Sequence, residues 1–292
     1  MRKLLFVPML LLACTQNPEN IGNARNNPQN VAVIPINGAA HSITQPLIID
    51  SSSNSFAHSM KDISRDSSTS SRPLPSDINY KPKGQYQSLK AKVKQRQAHY
   101  QASLQDTTQI SKSLLDRVRT EVTNVLLQEI IPFWYGTEWD FNGYTATPQQ
   151  GEIACGYLVS TTLRDAGFRL NRYHLAQQAS YFAALSLQKK ADLKIFHHHT
   201  PTELKNKLLH QLKAKSGLYF IGLDNHVGYL LIHQDELYFI HSNYITDRVM
   251  IEYAEESQAF GSSIYVIADI TYNDALLTKW IKNEVIKIKR GK

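Results

Sequence analysis

Residues 85–131 carry apolar side chains at helical spacing, most clearly in their second half. The stripe consists of Ile110, Leu114, Leu115, Val118, Val122, Val125, Leu126 and Ile130. Apolar positions three and four apart lie on one face of a helix. We therefore predict a helical segment over 85–131 that packs on the rest of the protein and ends at Pro132. A partner helix in a coiled coil is the alternative.

Beyond residue 216 the pattern changes to short apolar runs separated by polar turns. The runs are 217–223, 226–232, 237–244, 248–253 and 263–270. Runs of this length, bounded by turn residues, predict strands. Short turns join antiparallel neighbours, so we predict an antiparallel sheet, with a closing helix over 274–289. Helices together with such a sheet define the α+β class.

Residues 151–167 predict a loop that turns into a helix. Its core-facing residues are Leu158, Val159, Leu163 and Ala166, and Gly167 ends it. Cys155 falls on the first turn, where the positive end of the helix dipole favours a thiolate. This is where a nucleophile is expected. The position predicts that Cys155 reacts with iodoacetamide faster than a free thiol at neutral pH.

Two histidines on the predicted strands are candidates for the base that such a thiol needs. His226 opens one strand and His241 closes the next, and the turn 234–236 joins them. Antiparallel pairing brings these two ends together. A thiol, a base and a group that orients the base form a nucleophilic site. The alternative is that Cys155 is a small buried residue and both histidines are ordinary strand residues.

The loop before Cys155 interleaves aromatic residues with glycines. We predict that it forms a substrate-binding wall made by Trp134, Tyr135, Trp139, Asp140 and Asn142. Tryptophan and tyrosine offer a large contact area together with a polar group, which suits such a wall. A loop that simply folds over the core remains an open alternative.

The first residues, 1–14, predict a secretory signal, with Arg2-Lys3 before an apolar run. Leu11-Leu12-Ala13-Cys14 resembles the lipobox of bacterial lipoproteins. The resemblance implies cleavage before Cys14 and a diacylglycerol on its sulfur, and Thr15 implies sorting to the outer membrane. An ordinary signal that is cleaved further on is the alternative. Since the chain has two cysteines, lipidation of Cys14 leaves Cys155 without a disulfide partner.

Residues 15–84 are rich in Asn, Ser, Gln and Pro and lack a sustained apolar period, so we predict a disordered tether.

The formal net charge is +7, but only 279–292 is a concentrated basic run. No nucleic-acid motif is present, and no nucleic-acid partner is expected. The three adjacent histidines 197–199 point in different directions and lack further ligands, so neither a metal nor another cofactor is expected.

Over roughly 132–270 the chain resembles the NlpC-type, papain-like cysteine peptidases of bacterial cell walls. The resemblance lies in three features: the helix that begins at Cys155, His226-Val227-Gly228, and Ile240-His241. The resemblance implies a catalytic domain over 132–292, in which an antiparallel sheet packs against the cysteine helix. It implies that Cys155 is the nucleophile, that His226 is general base and then acid, and that His241 orients His226. The backbone amide of Cys155 helps to form the oxyanion hole.

The chain departs from the family pattern in its local sequences. Ala154-Cys155-Gly156 stands where Asp-Cys-Ser is common, which changes the local hydrogen bonding. The pattern Pro-Tyr-x-Trp-Gly-Gly is matched only loosely by 132–136, which leaves the substrate specificity open. A family tyrosine near the thiol falls on Phe133, unless Tyr135 replaces it.

These features predict a lipid-anchored cysteine hydrolase of the cell envelope, at the outer membrane. It would cut amide bonds in peptidoglycan peptides, or in another peptide substrate, through an acyl-enzyme. One alternative is an acyl or amide transferase that uses the same Cys-His-His set. The other is a non-catalytic lipoprotein that binds the wall or a partner through the aromatic loop. In every case the lipid anchor holds the protein at a membrane.

Overall fold

A computed structural model of the chain describes residues 72–104, 110–211 and 213–291. The helices are α1 (Tyr86–Ala102), α2 (Lys112–Asn124), α3 (Ile131–Trp134), α4 (Cys155–Asp165), α5 (Arg172–Ala176), α6 (Ser180–Leu187), α7 (Pro201–Asn206) and α8 (Asp274–Ile281). The strands are β1 (Lys194–His197), β2 (Gly217–Gly222), β3 (Val227–His233), β4 (Glu236–Asn243), β5 (Arg248–Tyr253) and β6 (Ile264–Asp269). The predicted α+β class is confirmed.

The six strands form one antiparallel sheet in the order β1-β6-β2-β3-β4-β5. Five of them coincide with the apolar runs of the sequence, whereas β1 was not predicted. The central pair β3 and β4 is in register from Tyr229 opposite Ile240 to His233 opposite Glu236. This register brings the start of β3 beside the end of β4, where the two candidate histidines lie.

The sheet separates two apolar clusters because alternate side chains of a strand point to opposite faces. The larger cluster contains Tyr229 and Ile240 and is completed by helices that include α2, α4 and α8. The smaller cluster contains Leu230 and Phe239 on the other face, together with residues of α7. The helix that carries Cys155 therefore packs on one particular face of the sheet.

The helical segment before the aromatic loop runs further than predicted. After α2 the backbone continues through a wider π-type turn, Val125–Ile130, and directly into α3. Pro132 lies in the first turn of α3 and does not end the helix. The α-helical hydrogen-bond pattern is already replaced by π-type bonds over Val125–Ile130, so Pro132 does not interrupt a regular ladder.

Residues 72–84 pack on the described domain, although the sequence places them in the tether. The Arg72 guanidinium donates to Glu236 at 2.7 Å and lies 3.8 Å from the Tyr253 ring centroid. The Tyr253 hydroxyl donates to the Pro73 carbonyl at 2.9 Å, and Ile78 is buried. The predicted end of the tether at 84 is therefore too late in the chain. The remainder of the predicted tether, to residue 71, and Cys14 lie outside the described residues.

Tyr86 connects α1 to both the aromatic loop and the cysteine helix. Its hydroxyl accepts a hydrogen bond from Trp134 Nε1 at 2.9 Å and donates one to Asp165 Oδ2 at 2.8 Å. All three side chains are buried. Buried polar groups of this kind are costly when they lose a partner. The hydroxyl therefore fixes the C-terminal end of α4, which in turn holds the end that carries Cys155.

We expect Tyr86→Phe to lower the free energy of unfolding by about 1–3 kcal/mol, because it leaves Trp134 Nε1 without an acceptor and removes one donor from Asp165. Urea unfolding measures the change. Tyr100→Phe, on the same helix, is the control, because its hydroxyl makes no hydrogen bond among the described residues. Equal, near-zero changes for both variants would show that the Tyr86 hydroxyl has no such role.

Candidate active site

Cys155 is the first residue of α4, as the sequence predicts. The loop that leads to it is fixed by backbone hydrogen bonds, from Ile153 N to the Glu138 carbonyl and from Ala154 N to the Gly143 carbonyl. The Ser242 hydroxyl on β4 donates to the Ile153 carbonyl at 2.6 Å. The start of the cysteine helix is thereby attached to the end of β4.

Backbone N–H groups approach the Cys155 thiol, and the residue is only partly exposed. The N–H groups of Val227, Gly156 and Cys155 itself donate toward the sulfur and favour its ionised form. Burial is the larger effect, and it raises the pKa of the Cys155 thiol above the ordinary value of 9.0. The resting group is therefore a neutral thiol. This direction is opposite to the one that the position at the helix N-terminus favours by itself.

His226 and His241 meet as the antiparallel pairing predicts. His226 Nε2 and His241 Nδ1 are 2.8 Å apart, and the ring planes are nearly perpendicular. His226 is 4% exposed and His241 is fully buried. Beyond His241, its Nε2 atom lies 3.0 Å from Glu252 Oε1 on β5. The three side chains form a continuous line of hydrogen bonds across the ends of β3, β4 and β5.

Both histidines are neutral at rest. Burial lowers the pKa of His226 well below 6.5, and repulsion from His241 lowers it further. Burial also lowers the pKa of His241, although the hydrogen bond and the charge of Glu252 act in the opposite direction. A neutral His226 has one unprotonated ring nitrogen and is therefore able to accept a proton.

The thiol and the histidine pair approach each other around the end of the sheet. Cys155 packs against the larger cluster, whereas the His241 ring stacks on Phe239 of the smaller cluster at 4.0 Å between centroids. The contact between the two sides is the Val227 amide, which follows His226 directly and faces the sulfur. Among the hydrogen bonds of the described residues, none joins the thiol to the His226 ring. Catalytic hydrogen bonds often tighten only when substrate is bound.

Tyr244 is the tyrosine that the structure brings beside the candidate catalytic pair. The centroid of its ring lies 5.2 Å from that of the His226 ring. Burial raises the pKa of the Tyr244 hydroxyl, and the negative charge of an ionised Cys155 raises it further. Phe133 is instead buried against Tyr86. The Tyr135 ring packs near Tyr80, and its buried hydroxyl has no hydrogen-bond partner among the residues that the structure describes. The sequence suggested Phe133 or Tyr135 for this position, and the proximity of Tyr244 was missed.

Two glycines permit the close approaches on which this site depends. A side chain at Gly228 would lie 2.7 Å from the Ile240 carbonyl oxygen and 3.0 Å from His241 Cβ, too close for β3 and β4 to keep their spacing. A side chain at Gly156 would collide with the Ala176 carbonyl oxygen, at the end of α5. Glycine in place of serine after Cys155 therefore has a steric reason, because the end of α5 lies directly over Gly156.

The predicted substrate-binding wall is only partly available at the surface. Trp134 is fully buried, so its assignment as a substrate-binding residue is wrong. The Trp139 ring is half-buried and lies 6.1 Å from the Tyr244 ring. Asp140 accepts a hydrogen bond from Asn142 N at 2.7 Å, so this pair shapes the turn of the loop. Trp134 is the last residue of α3, and its side chain is part of the core.

Exposed aromatic residues that the sequence did not single out lie on the other side of Cys155. Tyr144 is 61% and Tyr173 is 48% exposed, and the Tyr157 ring lies between theirs at 6.2 Å and 5.9 Å. The buried Arg172 guanidinium lies 4.5 Å from the Tyr173 ring centroid and donates to the Tyr144 carbonyl. Tyr157 is on the first turn of α4, two residues after Cys155, so the same helix carries both the thiol and this tyrosine cluster.

Comparisons of the chain with protein-family models, with curated proteins and with solved structures found no significant match. Within residues 72–104, 110–211 and 213–291, no helix has the length and the apolar character needed to cross a bilayer. The functional argument therefore depends on the site itself.

We expect Gly156→Ala to lower the free energy of unfolding by about 1–3 kcal/mol, because α5 or the start of α4 must shift to make room for the methyl group. Thermal or urea unfolding measures the loss. Gly261→Ala is the control, since a Cβ at that position has open space around it. The steric account is wrong if the two variants have the same stability.

The buried histidines predict that stability falls in mild acid. Their pKa values are lower in the folded protein than the ordinary 6.5, so the unfolded chain takes up their protons first as the pH falls. Their contribution is therefore complete above about pH 6.5 and is lost as the pH falls from there toward the folded pKa values, by at most about 1.4 kcal/mol per pH unit for each histidine. Urea unfolding at about pH 7.5 and pH 5.5 measures this slope.

His241→Asn should have a smaller loss of stability over the same interval, because one of the two buried titrating groups is gone. His210→Asn, at an exposed position, is the control and should keep the wild-type slope. If the His241 variant loses as much stability as the wild type, other groups cause the acid sensitivity.

Proposed function

We propose that this protein is a cysteine hydrolase with a papain-like fold of the NlpC type. The observation that carries the proposal is the hydrogen-bonded His226–His241 pair at the start of β3 and the end of β4, where the Val227 amide that follows His226 faces the sulfur of Cys155. An activated nucleophile requires a thiol, a base and a group that orients the base. Cys155 at the helix start, the neutral His226 and His241 behind it would fill these three roles.

In the proposed reaction, the unprotonated nitrogen of His226 takes the thiol proton as the Cys155 sulfur attacks the carbonyl carbon of an amide. The backbone N–H of Cys155 stabilises the oxyanion that forms. His226 then gives its proton to the departing amine as the C–N bond breaks, which leaves a thioester. Water, deprotonated by His226, attacks this thioester, and the acid product and the free thiol are released.

The neutral resting state of the pair gives this mechanism a particular character. Both Cys155 and His226 are uncharged before substrate arrives, because burial disfavours both charges. Proton transfer and sulfur attack are therefore expected to occur together, with the amide groups around the sulfur assisting the developing negative charge. The rate should depend strongly on His226 for the same reason.

The proposed substrate is a peptide of the peptidoglycan wall, cut by a protein that a lipid on Cys14 holds at the outer membrane. The support for the location is the lipobox-like sequence 11–14, and the support for the substrate class is the resemblance of the cysteine and histidine motifs to wall peptidases. The half-buried Trp139 packs near Tyr244, which lies beside His226, and supplies a surface for a peptide or its attached sugar. The exposed tyrosine cluster offers a second surface on the helix that carries Cys155.

A transferase is the second candidate, because the burial of both histidines limits the access of water to the base. The same thioester then passes its acyl group to an amine. Hydrolysis and transfer share every step up to the thioester, so they differ only in the final acceptor.

The test is the release of new amino termini from purified sacculi by the wild type, Cys155→Ala and His226→Ala. We expect release by the wild type, background release by Cys155→Ala, and a loss of roughly 100-fold or more for His226→Ala. Glu255→Gln, far along the chain from the thiol, is the control and should retain activity. An added amine that captures acyl products in place of water identifies a transferase.

Equal release by the wild type and Cys155→Ala, with both proteins folded, would reject the cysteine mechanism. If neither turns over any sacculus or peptide while both bind the wall equally, the protein is a non-catalytic binding lipoprotein.

A further inference from the structure

The line of hydrogen bonds behind the thiol does not stop at His241. Glu252 lies on β5, where it pairs with Phe239 of β4. Met250, two residues earlier on the same face of β5, pairs with His241. Glu252 Oε1 is 3.0 Å from His241 Nε2, and the Glu252 side chain is 16% exposed. Asn243 Nδ2 approaches the same oxygen at 3.4 Å. A carboxylate is therefore held against the outer nitrogen of a fully buried imidazole.

This carboxylate determines where the protons of both rings lie. An ionised carboxylate only accepts hydrogen bonds, so a neutral His241 must carry its proton on Nε2. Its Nδ1 is then an acceptor. His226 Nε2 lies 2.8 Å from that acceptor, so it must carry the proton of the His226 ring. The remaining nitrogen, His226 Nδ1, is left with a free lone pair.

The chemistry of a general base requires this arrangement. With the opposite tautomers, His226 Nδ1 would hold a proton and could not take one from the Cys155 thiol. The three residues Cys155, His226 and His241 do not fix the tautomers by themselves. Without a further partner, His241 Nδ1 can either donate to His226 or accept from it. A group that only accepts, placed at the far nitrogen, removes that ambiguity.

We propose that Glu252 is a positioning residue that fixes the tautomers of His241 and His226 and so keeps His226 Nδ1 free to accept the thiol proton. This inference rests on the proposed function and extends the triad to four groups. Glu252 also favours the proton that His226 gains during the reaction, because its negative charge faces the imidazole pair through His241. It touches neither the thiol nor the substrate side of His226 among the described contacts.

The direct test is ¹⁵N NMR of the imidazole rings in Cys155→Ala protein labelled at histidine. Protonated and unprotonated ring nitrogens give separate signals with distinct couplings. We expect both His226 and His241 to be protonated on Nε2 when Glu252 is present. In Glu252→Leu the His241 ring loses its acceptor, and we expect a mixture of tautomers for both rings.

The functional readout is the rate at which iodoacetamide alkylates Cys155, followed against pH. Glu252→Leu should slow alkylation near neutral pH by about tenfold or more, because part of the His226 population then lacks a free Nδ1. Glu252→Gln keeps the size and one acceptor oxygen, so it should lie between the wild type and Glu252→Leu. Glu255→Gln removes a carboxylate elsewhere and should match the wild type.

The outcomes separate this inference from the proposed function. If His226→Ala alkylates as fast as the wild type, His226 is not the base and the proposed function fails. If His226→Ala is slow but both Glu252 variants keep the wild-type rate and ring signals, only the role of Glu252 is overturned. Should Glu252→Leu not fold, Glu252→Ala, which also removes the acceptor, takes its place. Unchanged ring signals and an unchanged pH profile in that variant would then overturn the proposal.

Discussion

The hydrogen bond between the buried rings of His226 and His241 is the interaction on which the site depends. A buried imidazole nitrogen without a partner is costly, so each ring needs the other, and His241 needs Glu252 as well. This requirement fixes the relative position of β3, β4 and β5 at one end of the sheet. The glycine at 228 is the steric condition for it, since any larger residue would push β4 away.

The cysteine helix is placed by contacts at both of its ends. At its start, Ser242 holds the Ile153 carbonyl and the Val227 amide faces the sulfur, so the thiol is tied to the same strand ends as the histidines. At its other end, Asp165 is held by Tyr86 from α1. The helices before the catalytic region are therefore part of the support of the site.

Burial sets the chemical state of the site, and it acts in the same direction on both partners. It raises the pKa of the thiol and lowers the pKa of His226, so both groups rest uncharged. A helix dipole and three N–H groups favour the thiolate but do not outweigh the loss of water. The proposed mechanism therefore requires His226 to take the thiol proton as the sulfur attacks.

The sequence by itself determined the local features of this protein, because period and turn chemistry act over a few residues. It predicted the cysteine at a helix start, five of the six strands, and the meeting of His226 with His241 across a short turn. Tertiary structure decided what depends on residues distant in the chain. Trp134 turns inward because Tyr86 receives its N–H, and Gly156 is required because α5 crosses it. The direction of the thiol pKa and the position of Glu252 follow from packing that brings separate strands and helices together, and no local pattern encodes that packing.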